Sequence, residues 1–268
     1  MSELKREINL LPTVKFQQGL IFFQGRENLI KIRKERYLES ERKFKKRMPF
    51  IKLLTYLPHV EAIFIVNSLA YQNAKNESDV DLLIISKSGK IWSTRFFTTT
   101  VAKLLGIRPK PNYTKDTLCL SFYLDASALA MHDLMNSSDD VYEIYWLRQL
   151  LPIYDPNNYA KKIFESNQWV EPYLPNAKRV LQHPHRIIKH TIWHSLIQNM
   201  LGIFTPEKIL KKIQLAILPE QLKKLSGPVE SSVVVLSDLL LKFHINDPRP
   251  EWTKQWEEKI KQNLPSIS

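Results

Sequence analysis

A single cysteine, Cys119, in 268 residues leaves no partner for an intramolecular disulfide and no basis for a cysteine-built zinc site. The chain therefore reads as an occupant of a reducing compartment, with the cytoplasm as the default expectation. An apolar h-region of about 7–15 residues is also missing from the start, MSELKREINLLPTVKF, which is interrupted by charges and by Pro12. No export is expected. The longest uncharged stretch, His190 to Phe204, contains two histidines, a glutamine and an asparagine and falls short of the roughly 20 apolar residues of a membrane span. Neither an internal repeat nor a low-complexity segment occurs. With 44% apolar residues, wholesale disorder is excluded, and the length suits one large or two modest domains at roughly 100–200 residues each.

What the chain has in excess is positive charge: 39 Lys and Arg against 27 Asp and Glu, a net +12. Half of it lies in residues 26–47, where ten Lys/Arg face four Glu. Leu29, Ile30, Ile32, Tyr37, Leu38 and Phe44 fall at helical spacing within that stretch, which predicts an amphipathic helix with a long solvated face. Such a face helps solubility, and a polyanion, nucleic acid included, could lie along it. Before it, Val14–Phe16 and Leu20–Phe23 flank a glycine turn and predict a small hairpin.

After Pro49 the pattern changes. Ala62–Val66 and Val80–Ile85 are β-branched apolar runs that predict buried strands, with a two-turn helix over Ser68–Lys75 between them. Residues 93–105 keep helical spacing and stop at Gly106. Leu118–Leu124 alternates, with Leu118, Leu120, Phe122 and Leu124 on one face and Cys119, Ser121 and Tyr123 on the other, a third strand. Helices are expected over 140–151, 159–168, 186–201, 206–225 and 252–263, and Ser232–Leu236 is a candidate to return a strand to the sheet. The expected class is α+β: residues 1–48 a hairpin and basic helix, 49–155 a core of small mixed sheet with flanking helices, 156–268 mainly helical.

Asp79 and Asp81 are two apart on a strand and so project from one face, where both stay ionised only beside compensating positive charge. Hard divalent cations with oxygen ligands, Mg²⁺ above all, supply it. Ser68 opens a helix directly after a strand, where its hydroxyl and the free backbone N–H groups can meet a phosphate. A phosphate cradle and a carboxylate pair joined by one short segment supply what phosphoryl or nucleotidyl transfer needs, positioning and charge neutralisation. The alternatives are structural: Ser68 an ordinary helix cap, Ser78 and Asp79 capping a turn, and Asp81 in a buried ion pair.

At Asn67-Ser68 followed by Asp79-Val80-Asp81 the sequence resembles the nucleotidyltransferase superfamily that includes DNA polymerase β and the minimal bacterial nucleotidyltransferases. The wider run NSLAYQNAKNESDVDLLII, with IWSTRFFTTTVAKLLGIRPKP and LCLSFYL, is similar to a bacterial branch of it over about residues 50–155. The resemblance implies Mg²⁺-dependent transfer of a nucleoside monophosphate from an NTP such as ATP to an acceptor. Asp79 and Asp81 would be the catalytic metal ligands, and Asn67, Ser68 and Arg95 would contact the nucleotide. Two positions depart from the pattern. Asn67 stands where the family has glycine, and the third carboxylate, which serves a second metal from the following strand, has no counterpart among Cys119, Ser121 and Tyr123. Asp116, Asp125, Glu77, Asp238 and Asp247 are the acids that folding could bring in. Without one, the alternative is a catalytically degenerate module that binds nucleotide or nucleic acid without turnover. From its own position on the helix after the second strand, Arg95 reads better as a surface arginine.

Elsewhere, His190 and His194 are an i, i+4 pair without the acid of a His-Glu-x-x-His zinc motif and read as ordinary polar histidines. Trp146, Trp169, Trp193, Trp252 and Trp256 fall at helical positions and read as core. Residues 239–250 crowd Lys, His, Asp and Arg into a loop suited to acceptor contacts. The apolar helix around 187–204 admits a peripheral-membrane or scaffold role.

Overall fold

The computed structural model describes residues 13–110, 112–132, 141–178, 180, 182–227, 234–243 and 249–263. Strands β1 (Val14–Gln17) and β2 (Leu20–Phe23) form the expected hairpin. Gln18 and Gly19 both take positive φ at its turn, the twist that a two-residue connection requires. Helix α1 (Asn28–Leu54) follows and carries Pro49 within it. Then come β3 (Val60–Ile65), α2 (Asn67–Ala70), β4 (Val80–Ser86), α3 (Ile91–Leu104), β5 (Leu118–Asp125), α4 (Val141–Arg148), β6 (Leu151–Tyr154) and α5 (Tyr159–Ser166). The later elements are α6 (Ile192–Gly202), α7 (Glu207–Ala216), α8 (Glu220–Lys224), β7 (Val234–Leu236), β8 (Leu240–Phe243) and α9 (Arg249–Asn263).

Six strands form one mixed sheet in the order β6-β3-β4-β5-β8-β7. Only β4 and β5 run parallel, as a crossover through a helix demands, and every other pairing is antiparallel. The class is therefore α and β mixed, with two hydrophobic layers. Val80, Leu82 and Ile84 point into a core shared with Phe44, Ile51 and Leu54 of α1 and Trp92 and Ala102 of α3. Leu83 and Ile85 point the other way, towards Ile144 and Leu147 of α4 and Ile163 of α5. Strand β4 is buried on both faces, which is why it reads as an unbroken apolar run.

The sheet draws on the chain well past residue 155. The expected late strand is β7, and β8 beside it pairs with β5. Sequence spacing also missed β6, which opens at Leu151 where a helix end was expected: Pro152 suits an edge strand, and β6 is the sheet's edge beside β3. The expected helix over 206–225 is two, α7 and α8, separated at Leu218-Pro219 because proline cannot continue the preceding turn. Helix α6 begins at Ile192, later than expected, after a short 3₁₀ turn at Pro184–Arg186. Of the loop expected over 239–250, Leu240–Phe243 is strand β8 instead, because it pairs with β5, and residues 244–248, which include Asp247, lie outside the described residues.

The alternation expected along β5 breaks midway. Asp81 pairs with Cys119, but Leu83 pairs with Phe122, so β5 takes one extra residue between these pairs. That bulge flips the phase: Leu118, Leu120 and Tyr123 join the α1/α3 core, whereas Phe122 and Leu124 join the α4/α5 core.

Candidate functional site

At the start of β4 the backbone places Asp79 and Asp81 on the face that α4 covers, and the parallel register sets Cys119 of β5 directly across from Asp81. One ligand atom from each of the three lies within 4.8 Å of the others, and no other such trio occurs among the described residues. Burial raises the pKa of Asp79, against the opposing pull of its own backbone N–H, the Cys119 thiol and Lys43. Asp81 is pushed up to about 7, by burial first and then by the charge of Asp79, while hydrogen bonds from Asn67 and Cys119 act against the rise. The Cys119 thiol is raised well above its ordinary value by burial and the two carboxylates. It sits 3.2 Å from Ser121 Oγ at the bulge. Two crowded carboxylates of this kind could hold a cation, whose charge would offset their mutual repulsion.

Asn67, between β3 and β4, is the hinge of the site. Its φ is +57°, the left-handed region that glycine enters freely and asparagine tolerates better than other side-chain-bearing residues. Asparagine therefore holds a backbone turn of the kind that glycine makes freely. Its side chain adds contacts that glycine cannot make: it hydrogen-bonds Asp81, and its Oδ1 accepts from Tyr142 Oη of α4 at 3.0 Å.

Ser68 is not a helix cap. The N-cap position belongs to Val66, and α2 is one turn rather than the expected two. Among the described residues the Ser68 hydroxyl makes no hydrogen bond, while its carbonyl accepts from Asn73 N–H at 2.8 Å. The helix stops because Gln72 takes a positive φ and the segment 71–78 is tied down along α1 instead.

That tether accounts for much of the basic helix. Arg33, Arg36, Ser40, Lys43 and Arg47 line one stripe of α1, at steps of three and four residues. Arg33 donates to the carbonyls of Tyr71 and Gln72, and Arg36 to Asn73 Oδ1 at 3.1 Å. Ser40 Oγ accepts from Ala74 N–H at 3.1 Å. Lys43, fully buried, donates to the carbonyls of Asn76 (2.9 Å) and Ser78 (2.8 Å) and to Asp116 (2.7 Å). Arg42 and Lys46 also grip Asp116, and Arg47 donates to its carbonyl. Burial alone would raise the Asp116 pKa; the hydrogen bonds from Arg42, Lys43 and Lys46 outweigh it and hold the group well below the usual carboxylate range. The expected solvated face is thus largely an internal clamp, leaving Lys31, Lys34 and Lys45 exposed outside it.

None of the described acids proposed from the sequence completes the trio. Asp116 belongs to that clamp. Asp125 accepts from Gly89 N–H at 2.7 Å and from Ser127, at the far end of β5. Asp238 accepts from Trp92 Nε1 at 2.8 Å and pairs with Lys211, and Glu77 is exposed and bonded to Asn76. Arg95 does not join the site either. It hydrogen-bonds Gln214 of α7 at 2.6 Å and lies over the Phe243 ring, on the α3 side of the sheet.

Sequence reasoning missed a cavity of about 320 Å³ that adjoins Asn67. Tyr71, Tyr142, Tyr145 and Trp146 line it with Trp252 and Trp256 of α9. Trp146 is buried as expected, but Trp252 and Trp256 are about half exposed, and Trp193 on α6 is exposed too, so three of the supposed core tryptophans are not core. The legible signal was spacing: Tyr142 with Tyr145 and Trp146, and Trp252 with Trp256, fall on single helix faces. His190 precedes α6 rather than sharing its face with His194. Its Nδ1 meets Tyr154 Oη at 2.7 Å, and His194 meets Thr191 and Thr55, which is the ordinary polar role expected.

Comparison with protein-family models, curated proteins and solved structures yields no match to this chain.

Proposed function

We propose that this chain is a nucleotidyltransferase that binds an NTP with Mg²⁺ and moves the nucleoside monophosphate to an acceptor. The observation that carries the reading is the carboxylate pair Asp79 and Asp81 beside the left-handed turn at Asn67 and the uncommitted hydroxyl of Ser68. The donor set fits one Mg²⁺ ion: two carboxylates give hard oxygen ligands, whereas the Cys119 thiol is a poor ligand for so hard a cation. Held by Asp79 and Asp81, the ion would neutralise charge on the phosphates while an acceptor hydroxyl oxygen displaced pyrophosphate from the α-phosphorus and gave up its proton to solvent.

The chain's own residues then have distinct tasks. Asp79 and Asp81 hold the cation, Asn67 fixes the Asp81 carboxylate through its amide, and the Ser68 hydroxyl donates to a phosphate oxygen. The cavity beside Asn67 accepts a flat heterocycle between tyrosine and tryptophan rings, where stacking contributes about 1–3 kcal/mol per base.

A second reading, binding without turnover, is favoured by one observation: Cys119 occupies the position across from Asp81, and Asp116, Asp125 and Asp238 are committed elsewhere. Calorimetric titration with each NTP, with and without Mg²⁺, tests the shared site, and incubation with α-labelled NTP and cell extract tests transfer. Mg²⁺-dependent binding with label passed to an acceptor supports the enzyme. Binding without any labelled acceptor supports the degenerate module. No NTP binding, or binding indifferent to Asp79→Asn, removes both.

A further inference from the structure

Helix α6 is built inside out. Two of its polar side chains face the protein: His194 is buried against Thr55 Oγ1 at 3.1 Å, and Gln198 donates to the carbonyls of Thr55 (2.8 Å) and Val60 (3.0 Å). Gly202 lies so close to the His59 ring that a Cβ there would approach it to 3.2 Å. The apolar side chains face outward instead. Ile192, Trp193, Leu196, Met200, Ile203 and Phe204 are between 53% and 88% exposed. Helix α7 buries Leu210 and Gln214 on its inner face, yet leaves Ile209 and Ile213, with Ile217 at its C-terminal end, exposed on the other. Two successive helices that leave this many large apolar side chains in water point to an interaction surface.

Charge identifies the occupant. Residues 190–204 hold no charged side chain, and the α7 face adds exposed Lys208 and Lys212. The nearest acids are turned away from that face or neutralised. Glu207 accepts from the backbone N–H groups of Trp92 (2.6 Å) and Ser93 (3.1 Å), and Glu220 pairs with Lys223. A second copy apposed on this face would bring like charges together, whereas an anionic lipid surface meets the lysines while the Trp, Phe, Ile and Met side chains enter the acyl boundary. No described helix is long and apolar enough to cross a membrane, so the contact lies in the plane of the interface. We infer that the outward faces of α6 and α7 seat this protein on an anionic bilayer surface. This inference is independent of the nucleotide site.

The test is co-sedimentation of the full chain with phosphatidylcholine vesicles prepared with or without phosphatidylglycerol. Binding is expected to the anionic vesicles and to weaken with salt. The double variant Trp193→Asp/Phe204→Asp should weaken it by roughly tenfold or more, and Lys208→Glu/Lys212→Glu should abolish the preference for anionic lipid. All four positions are exposed, and circular dichroism checks that the variants fold. Absence of wild-type binding, or binding unchanged in Trp193→Asp/Phe204→Asp, overturns the inference. So does a concentration-dependent dimer in sedimentation velocity that this variant dissociates while vesicle binding is absent, since the face would then belong to a second copy.

Discussion

Cys119 stands directly across from Asp81 in the parallel pairing of β4 and β5, its sulfur within 4.8 Å of both carboxylates at the start of β4. The two residues share one face only up to this point. Immediately beyond it, the β5 bulge turns the following side chains over, so Phe122 and Leu124, and not Tyr123, continue on that face. The cluster is therefore a two-acid arrangement with a thiol in its third corner.

Replacing Cys119 with aspartate should complete a three-carboxylate site. The expected outcome is a Mg²⁺ or Mn²⁺ affinity raised by roughly tenfold or more, with a metal-free protein that melts lower because three like charges crowd one place. Isothermal titration with each cation, alongside thermal denaturation with and without metal, measures both effects. Cys119→Ser, neutral and similar in size, should leave metal affinity near the wild-type value.

Asp81 should make cation binding depend on pH. Its folded pKa of about 7 lies above the ordinary 3.8, so between these values the folded state holds a proton that the unfolded state has released. The metal-free fold is thus favoured as pH falls from about 7 towards about 4 and loses that contribution as pH rises through 7. A cation needs the ionised carboxylate, so its affinity should climb with pH and level off above about 7. Melting and titration of wild type and Asp81→Asn from about pH 5 to about pH 8 check this; the slope should shrink in the variant to the part that Asp79 contributes.

Lys43 carries the heaviest structural role on the basic stripe. Lys43→Met should cost about 3 kcal/mol, because the carbonyls of Asn76 and Ser78 lose their buried donor and Asp116 loses a partner. Chemical denaturation measures the loss. The surface change Lys45→Met should shift stability by less than about 0.5 kcal/mol.

Asn67 separates backbone tolerance from side-chain contact. Asn67→Gly should fold with near-native stability, since glycine accepts the positive φ, yet bind nucleotide and metal more weakly because Asp81 loses its amide partner. Asn67→Val should lose about 1–3 kcal/mol of stability as well, from backbone strain. Thermal melts paired with ATP titration in Mg²⁺ distinguish the two.

Much of the fold was legible because local pattern and final environment agree. The apolar runs of β3 and β4, the alternation that opens β5, the helical spacing of α1 and α3 and the glycine stop after α3 are all readable without a structure. The carboxylate pair was legible for the same reason: period-two geometry places Asp79 and Asp81 together whatever surrounds them. The misreadings fall where a partner distant in sequence decides. Ser68–Lys75 has helical length, but α1 pulls its second half into a loop. Arg95 has the right charge, yet Gln214 and Phe243 hold it on the other side of the sheet. Trp252 and Trp256 looked like core because spacing reports a face, not what covers it.

Residue order by itself determined which segments become strands and helices, where positive charge accumulates, and that two acids share one face, because these depend on neighbours a few positions apart. Tertiary structure alone decided that the basic helix turns inward to clamp Asp116 and the 71–78 segment, that a thiol faces Asp81, and that α6 shows its apolar side to solvent. Each of those depends on register and packing between segments far apart in sequence, and a one-residue bulge in β5 is enough to change which side chains meet.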